Sequence, residues 1–156
     1  MEVSGGAMFL GTFTPRLDDK GRLTLPARYR DDLGEGLVIT QSPDLSLKVY
    51  PRATFERIAQ DLQLGPLESD PERVRRNRIF FATASMESLD RQGRVTIMPA
   101  LRQHARLDRN CVITGNNDHL EVWSEQMYAA YFGADAPAGP ESASPDAPTF
   151  PGGGGT

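Results

Sequence analysis

The sequence predicts a mainly β fold with short helices (α+β), built from one small module written twice and closed into a barrel with a pseudo-twofold axis inside one chain. Three observations lead there. A nine-residue run recurs at an offset of 72, apolar and polar residues alternate with period two after each recurrence, and a proline then stands where a short helix would begin. At 156 residues the chain fits one compact domain or two very small ones. Modules of about 45 residues have too little interior to stand alone, so the copies are expected to interlock.

The repeat comes first, because missing one misreads the whole fold. Leu17-Asp-Asp-Lys-Gly-Arg-Leu-Thr-Leu25 lies over Leu89-Asp-Arg-Gln-Gly-Arg-Val-Thr-Ile97. Tyr29-Arg30 then falls on Leu101-Arg102, Val38-Ile39-Thr40 on Val112-Ile113-Thr114, and Asp44 on Asp118. After a one-residue gap, Leu47–Tyr50 matches Leu120–Trp123 and Phe55 matches Tyr128.

Each copy reads alike. An opening apolar run, Met8–Phe13 or Ile79–Phe81 and on to Ala84, predicts a strand leading into Asp-x-x-Gly-Arg. Gly21 and Gly93 mark a tight turn needing positive φ, which a residue without Cβ adopts freely. Leu23-Thr-Leu25 and Val95-Thr-Ile97 alternate as half-buried strands do. Opening strand, turn and second strand predict a hairpin with its arginine just past the tip. Pro26 and Pro99 suit a first helical turn, opening short helices over Ala27–Leu33 and Ala100–Leu107. Two strands close each copy: Leu37–Thr40 with Leu47–Tyr50, and Cys111–Thr114 with Leu120–Trp123, joined by the turn sequences Ser42-Pro-Asp and Asn116-Asn-Asp.

Between the copies, Ala53–Leu64 places Phe55, Ile58, Ala59 and Leu62 on one helical face, and Gly65-Pro66 breaks it. Asp70-Pro71-Glu72 starts a second helix with an N-cap and an acidic first turn, and that helix carries Arg73, Arg75, Arg76 and Arg78. After the second copy, Ser124–Phe132 offers Met127, Tyr128 and Tyr131 for packing. The organisation is therefore an extension over 1–7, a first module over 8–54, linker helices over 55–78, a second module over 79–126, the end of a C-terminal helix over 127–132, and a tail over 133–156. The tail is Ala, Pro, Gly and Ser with three acids and is expected to be disordered.

Composition removes several function classes. Mean hydropathy is -0.44 and no apolar run approaches a membrane span. Met1–Ala7 lacks the basic start and apolar core of a secretory signal. One cysteine, Cys111, excludes an internal disulfide and suits a reducing cytoplasm. His104 and His119 give no metal-ligand spacing. No glycine-rich phosphate loop or catalytic triad pattern is present, and the adjacent carboxylates Asp18 and Asp19 point apart, so no catalytic residue, cofactor or small-molecule substrate is expected.

Net charge is -4, but Asp135, Glu141 and Asp146 place three of those charges in the tail. The rest is near neutral, and Thr14–Arg30 holds five basic residues against two acidic. A local basic face is what DNA requires.

A strand, an Asp-x-x-Gly-Arg turn, a strand, a proline and a short helix together resemble the SpoVT-AbrB swapped-hairpin type. Two copies joined by a helical pair resemble the MraZ family of regulators of the bacterial division and cell wall gene cluster. The resemblance rests on Met8–Gly11, Leu17–Pro26, Leu89–Arg94, Leu101-Arg102 and Leu120–Trp123, and covers about Met8 to Phe132. It implies a duplicated swapped-hairpin β-barrel, binding to double-stranded DNA with direct repeats, and a ring-shaped homo-oligomer. It also implies a cytoplasmic, nucleoid-associated location and a start at Met8. One departure is that Pro26 follows Leu25 directly, whereas Met98 intervenes before Pro99.

The candidate DNA-binding residues are Arg16, Lys20, Gly21, Arg22, Gln92 and Arg94, with Asp18, Asp90 and Gly93 shaping the turns. A plainer reading makes Asp18–Arg22 and Asp90–Arg94 simple ion pairs that pin the turns, and surface pairs contribute only ~0–1 kcal/mol. The resemblance favours DNA contact for Arg22. Lys20 has no duty inside its turn and is expected to face a phosphate, while Gln92 is uncharged but donates hydrogen bonds. Arg73–Arg78 reads first as a solvated face. His104 and His119 read as surface or interface residues, Cys111 as a buried strand residue, and Tyr50 and Trp123 as core aromatics. The rival function is a protein-binding module of antitoxin type, although the tail lacks the apolar anchors a groove-binding segment needs.

Overall fold

The computed structural model describes residues 8–62 and 69–133. The first copy supplies β1 (Thr12–Phe13), β2 (Arg22–Thr24), α1 (Ala27–Arg30), β3 (Leu37–Gln41) and β4 (Leu47–Pro51). The helices α2 (Arg52–Asp61) and α3 (Pro71–Ala82) follow. The second copy repeats the order with β5 (Ser85–Glu87), β6 (Arg94–Thr96), α4 (Pro99–His104), β7 (Cys111–Gly115), β8 (Leu120–Ser124) and α5 (Glu125–Phe132). The mixed α+β architecture and the duplication are those read from the sequence.

Strand pairing makes the copies inseparable. The six-stranded antiparallel sheet runs β1-β7-β8-β4-β3-β5, and β2 pairs with β6 in a separate ribbon. Each opening strand therefore joins the other copy: Thr12 and Phe13 face Thr114 and Ile113, while Ser85, Met86 and Glu87 face Ile39, Val38 and Leu37. The β4–β8 pair lies at the centre of this exchange. One core receives side chains from both copies, including Phe9, Phe13, Leu23, Leu25, Leu47, Val95, Ile97 and Ile113.

Two expectations change. Among the described residues the ladder does not close into a barrel, because β1 and β5 end the sheet as edges and β2 and β6 form a separate ribbon. The local hairpin is also reduced. Among the described residues, the strand pairing across the first copy's turn is the isolated Leu17–Leu23 bridge, since both strands find their ladder partners in the other copy.

The stretch Ile79–Ala84 is not a strand. α3 continues through Ala82, and the strand waits until Ser85. A short apolar run is ambiguous between helix and strand, and here tertiary contacts decide. Phe80 stacks on Phe55 at 5.4 Å and meets Tyr50 edge-on at 6.0 Å. Thr40 Oγ1 donates to the Phe80 carbonyl at 2.6 Å, which ties the helix end to β3. At the other end the Asp70 side chain accepts from Glu72 N, the cap read from sequence.

Smaller differences have local causes. The first strand shrinks to Thr12–Phe13 plus a Phe9–Asn117 bridge, because Gly11 at φ +96° interrupts the run. The helices of the two copies end at Arg30 and His104, earlier than expected. α2 ends at Asp61, and the expected end at Leu64 lies outside the described residues, as do the 1–7 extension and the tail from 134 onward. Cys111, Tyr50 and Trp123 are buried as read. His119, expected at a surface or an interface, is instead buried against the Tyr50 ring, 5.0 Å between centroids. No described helix is long and apolar enough to cross a membrane.

Candidate nucleic-acid interface

The two Asp-x-x-Gly-Arg turns have the same internal wiring. Asp18 Oδ1 accepts from Lys20 N at 2.9 Å and Arg22 N at 2.8 Å, while Oδ2 accepts from Arg22 Nε at 2.8 Å. Asp90 does the same with Gln92 N at 2.9 Å, Arg94 N at 2.9 Å and Arg94 Nε at 2.7 Å. Gly21 and Gly93 both stand at φ +77°, as the turn reading required. The bond from the arginine backbone N–H, followed by the guanidinium bond, holds each aspartate carboxyl below its ordinary pKa. So the ion pairs that pin the turns exist in both copies. Each pair is made through the arginine Nε.

β2 and β6 bring the two turns together. Arg22 lies opposite Thr96, and Thr24 opposite Arg94. Side chains alternate across a strand, so Leu23 and Val95 enter the core while Arg22, Thr24, Arg94 and Thr96 share the other face. Both threonines are exposed and both arginine side chains are 28% exposed. The result is a narrow antiparallel ribbon with a basic residue from each copy on its outer face.

Each turn is also braced from the other copy. Ile97 N donates to the Gly21 carbonyl at 2.8 Å, and Leu25 N to the Gly93 carbonyl at 2.9 Å. Arg102 of α4 covers Gly21, where a Cβ would stand 2.9 Å from its Cζ, and Arg30 covers Gly93. Sequence reasoning aligned Arg30 with Arg102 but gave neither a role. Their shared offset of 72 was the available signal.

The two turns differ at Asp19 against Arg91 and at Lys20 against Gln92. Gln92 Oε1 accepts from Arg94 Nη2 at 3.0 Å, so Arg94 is held at two points. Lys20, its counterpart, is exposed. Arg16 is exposed and lines a hollow with Thr24 and Arg30. The α3 arginines 73, 75, 76 and 78 are exposed and belong to another region of the fold. Among the described residues no cluster of His, Cys, Asp and Glu has the makings of a metal site.

The duplication recurs in comparison with known proteins. A family model described as "MraZ protein, putative antitoxin-like" matches residues 8–77 and again 80–144. A protein of Thermobifida fusca named transcriptional regulator MraZ is 52% identical over 124 residues, covering 80% of this chain and 86% of its own length. Proteins of the same name from Frankia alni and Mycobacterium tuberculosis are 49% and 48% identical over the same shares.

Proposed function

Because the chain belongs to the MraZ family, we propose that it is a transcriptional regulator that binds double-stranded DNA through the β2–β6 ribbon. The observation that carries this is the placing of Arg22 and Arg94, one from each copy, on a single exposed face of a two-stranded antiparallel ribbon. The major groove admits such a ribbon, and arginine is the usual reader of guanine through O6 and N7.

Asp18 and Asp90 fix each guanidinium by Nε, which lowers the entropy lost when the outer edge meets a base or a phosphate. Arg22 is the principal reader, Lys20 and Arg16 meet phosphates, the Gly21 turn permits close backbone approach, and Arg94 with Gln92 makes the second, milder contact. Phosphate contacts of so few basic residues bind weakly one at a time. A ring of subunits repeating the ribbon would engage closely spaced direct repeats together, and linkage of sites multiplies affinity. The resemblance supplies the setting: the chain's own promoter within the division and cell wall gene cluster, in the cytoplasm at the nucleoid. No catalysis is assigned.

A mobility-shift titration against the chain's own upstream DNA tests the reading. Direct repeats should bind well, a single repeat poorly, and affinity should fall steeply with salt as condensed counterions are released. Equal, weak binding to every duplex would sink it. The family's description as antitoxin-like favours a second reading, a protein-binding module of antitoxin type. That reading predicts a stable complex with a protein partner and indifference to the promoter.

A further inference from the structure

A second site lies away from the ribbon. α2 and α3 do not close fully over the outward face of β3 and β4, and a cavity of about 560 Å³ remains between them. That volume falls within the range of ligand sites, about 300–1,000 Å³. We propose that this cavity binds a small organic anion with an apolar or aromatic body, and that its occupant acts on the DNA-binding ribbon.

The chemistry of the walls selects the ligand. Tyr50, Ile58, Ile79 and Phe80 form an apolar floor, two of them rings already packed edge to face. Lys48, Arg75, Arg76 and His104 also line the cavity, against the single carboxylate of Glu72 among the described residues. Arg75 and Arg76 are exposed on α3. Asn77 stands in the same wall with its Nδ2 buried and without a hydrogen-bond partner. A buried unpaired donor is costly, and an acceptor carried into the cavity would relieve it after a small rotation of the amide. A body held between two helices and a sheet must be small, which excludes a duplex and favours a carboxylate, phosphate or sulfonate on an apolar frame.

The regulatory half of the proposal rests on the DNA-binding reading. His104 is the last residue of α4, and its Nε2 donates to the Asp44 carbonyl at 2.9 Å across the β3–β4 turn. Arg102, two residues earlier on the same short helix, covers Gly21 in the first reading turn. A ligand pressing on His104 therefore bears on the brace of that turn.

Anilinonaphthalene sulfonate, an aromatic sulfonate that brightens on burial, serves as the probe with the full chain. One saturable site per chain is expected. The double variant Arg75→Gln/Arg76→Gln should bind about tenfold more weakly, since charge-assisted contacts are the strong ones. Asn77→Ala should also weaken binding, while Tyr131→Ser, at an exposed aromatic elsewhere, should leave it unchanged. Thermal melts confirm that each variant is folded. Several weak sites, full binding by the arginine variant, or loss in Tyr131→Ser would overturn the site. Promoter affinity is then measured with and without saturating probe. A shift in the native chain that the arginine variant lacks supports the link to the ribbon. An unchanged promoter affinity with the probe bound overturns that link, whereas failure of promoter binding without any probe counts against the DNA-binding reading itself.

Discussion

The guanidinium of Arg30, from the first copy, lies across Gly93 in the turn of the second, so closely that a Cβ on Gly93 would stand 2.1 Å from Arg30 Nε. Arg30 Nε also donates to the Leu25 carbonyl at 3.2 Å, which limits its freedom to retreat. Gly93→Ala meets both this contact and φ +77°. It should destabilise the protein by about 1–3 kcal/mol, and Gly21→Ala, with its nearest contact at 2.9 Å, by less. Urea midpoints measure the order. A Gly93→Ala protein as stable as the native one would show that the brace gives way freely.

Arg22→Ala should abolish promoter binding and leave subunit assembly and melting temperature nearly unchanged, because the pair it breaks is partly exposed and contributes ~0–1 kcal/mol. Arg94→Ala should be similar or milder. Gln92→Lys removes the acceptor that holds Arg94 Nη2 and adds a charge, so it should tighten binding and steepen its salt dependence by about one counterion. If Arg22→Ala binds as the native chain does, the ribbon is not the reading head, and the α3 arginines become the next candidates.

Gly115, at the end of β7, is needed for space. A Cβ there would stand 2.4 Å from Phe9 C and from Leu10 N, both backbone atoms. Gly115→Ala must push the opening segment away from β7, at a cost of about 1–3 kcal/mol. The denaturation midpoint should fall with an unchanged slope. An unshifted midpoint would mean that the first segment holds less tightly than its bonds from Phe9 to Asn117 imply.

Acid should loosen the protein through identifiable carboxylates. His119, whose Nε2 stands 3.7 Å away, followed by the hydrogen bonds from Trp123 and Asn116, holds Glu121 below its ordinary pKa despite burial. Asp18 and Asp90 are lowered by the bonds within their turns. A carboxylate whose folded pKa lies below its unfolded value stabilises the fold at higher pH and loses that contribution as pH falls through the folded value. The melting temperature should therefore decline once pH drops below the ordinary values of 4.5 for Glu and 3.8 for Asp. Glu121→Gln should decline less steeply over that window, and an identical slope would remove Glu121 from the account.

Burial pushes the Cys111 thiol up to about 12. At pH 8 the folded protein should resist a thiol-labelling reagent and react only as it unfolds. Prompt labelling of the native state would contradict the buried position of β7.

Much of this was legible in the residues. The offset of 72 located both turns, glycine marked their positive φ, and period two separated Leu23 and Val95 from the exposed threonines. What could not be read was the partner of each strand. Alternation says which side of a strand is buried, but Thr12 pairs as readily with its own copy as with Thr114 as far as pattern goes. The braces by Arg30 and Arg102 were hidden for the same reason, since they reach turns in the opposite copy. Ile79–Ala84 misled because a short apolar run fits either period, and the choice fell to the Phe55–Phe80 stack and the Thr40 bond.

The exchange of opening strands bears on how the protein responds to dilution. A lone module would leave β3 or β7 without its outer neighbour and β2 or β6 without any partner, so it could be completed only by a second molecule of itself. Carrying both modules in one chain turns an encounter between two molecules into a fold within one, and so frees the module's integrity from dilution. It also leaves the two halves free to differ, and Asp19 against Arg91 and Lys20 against Gln92, within turns that otherwise match, use that freedom.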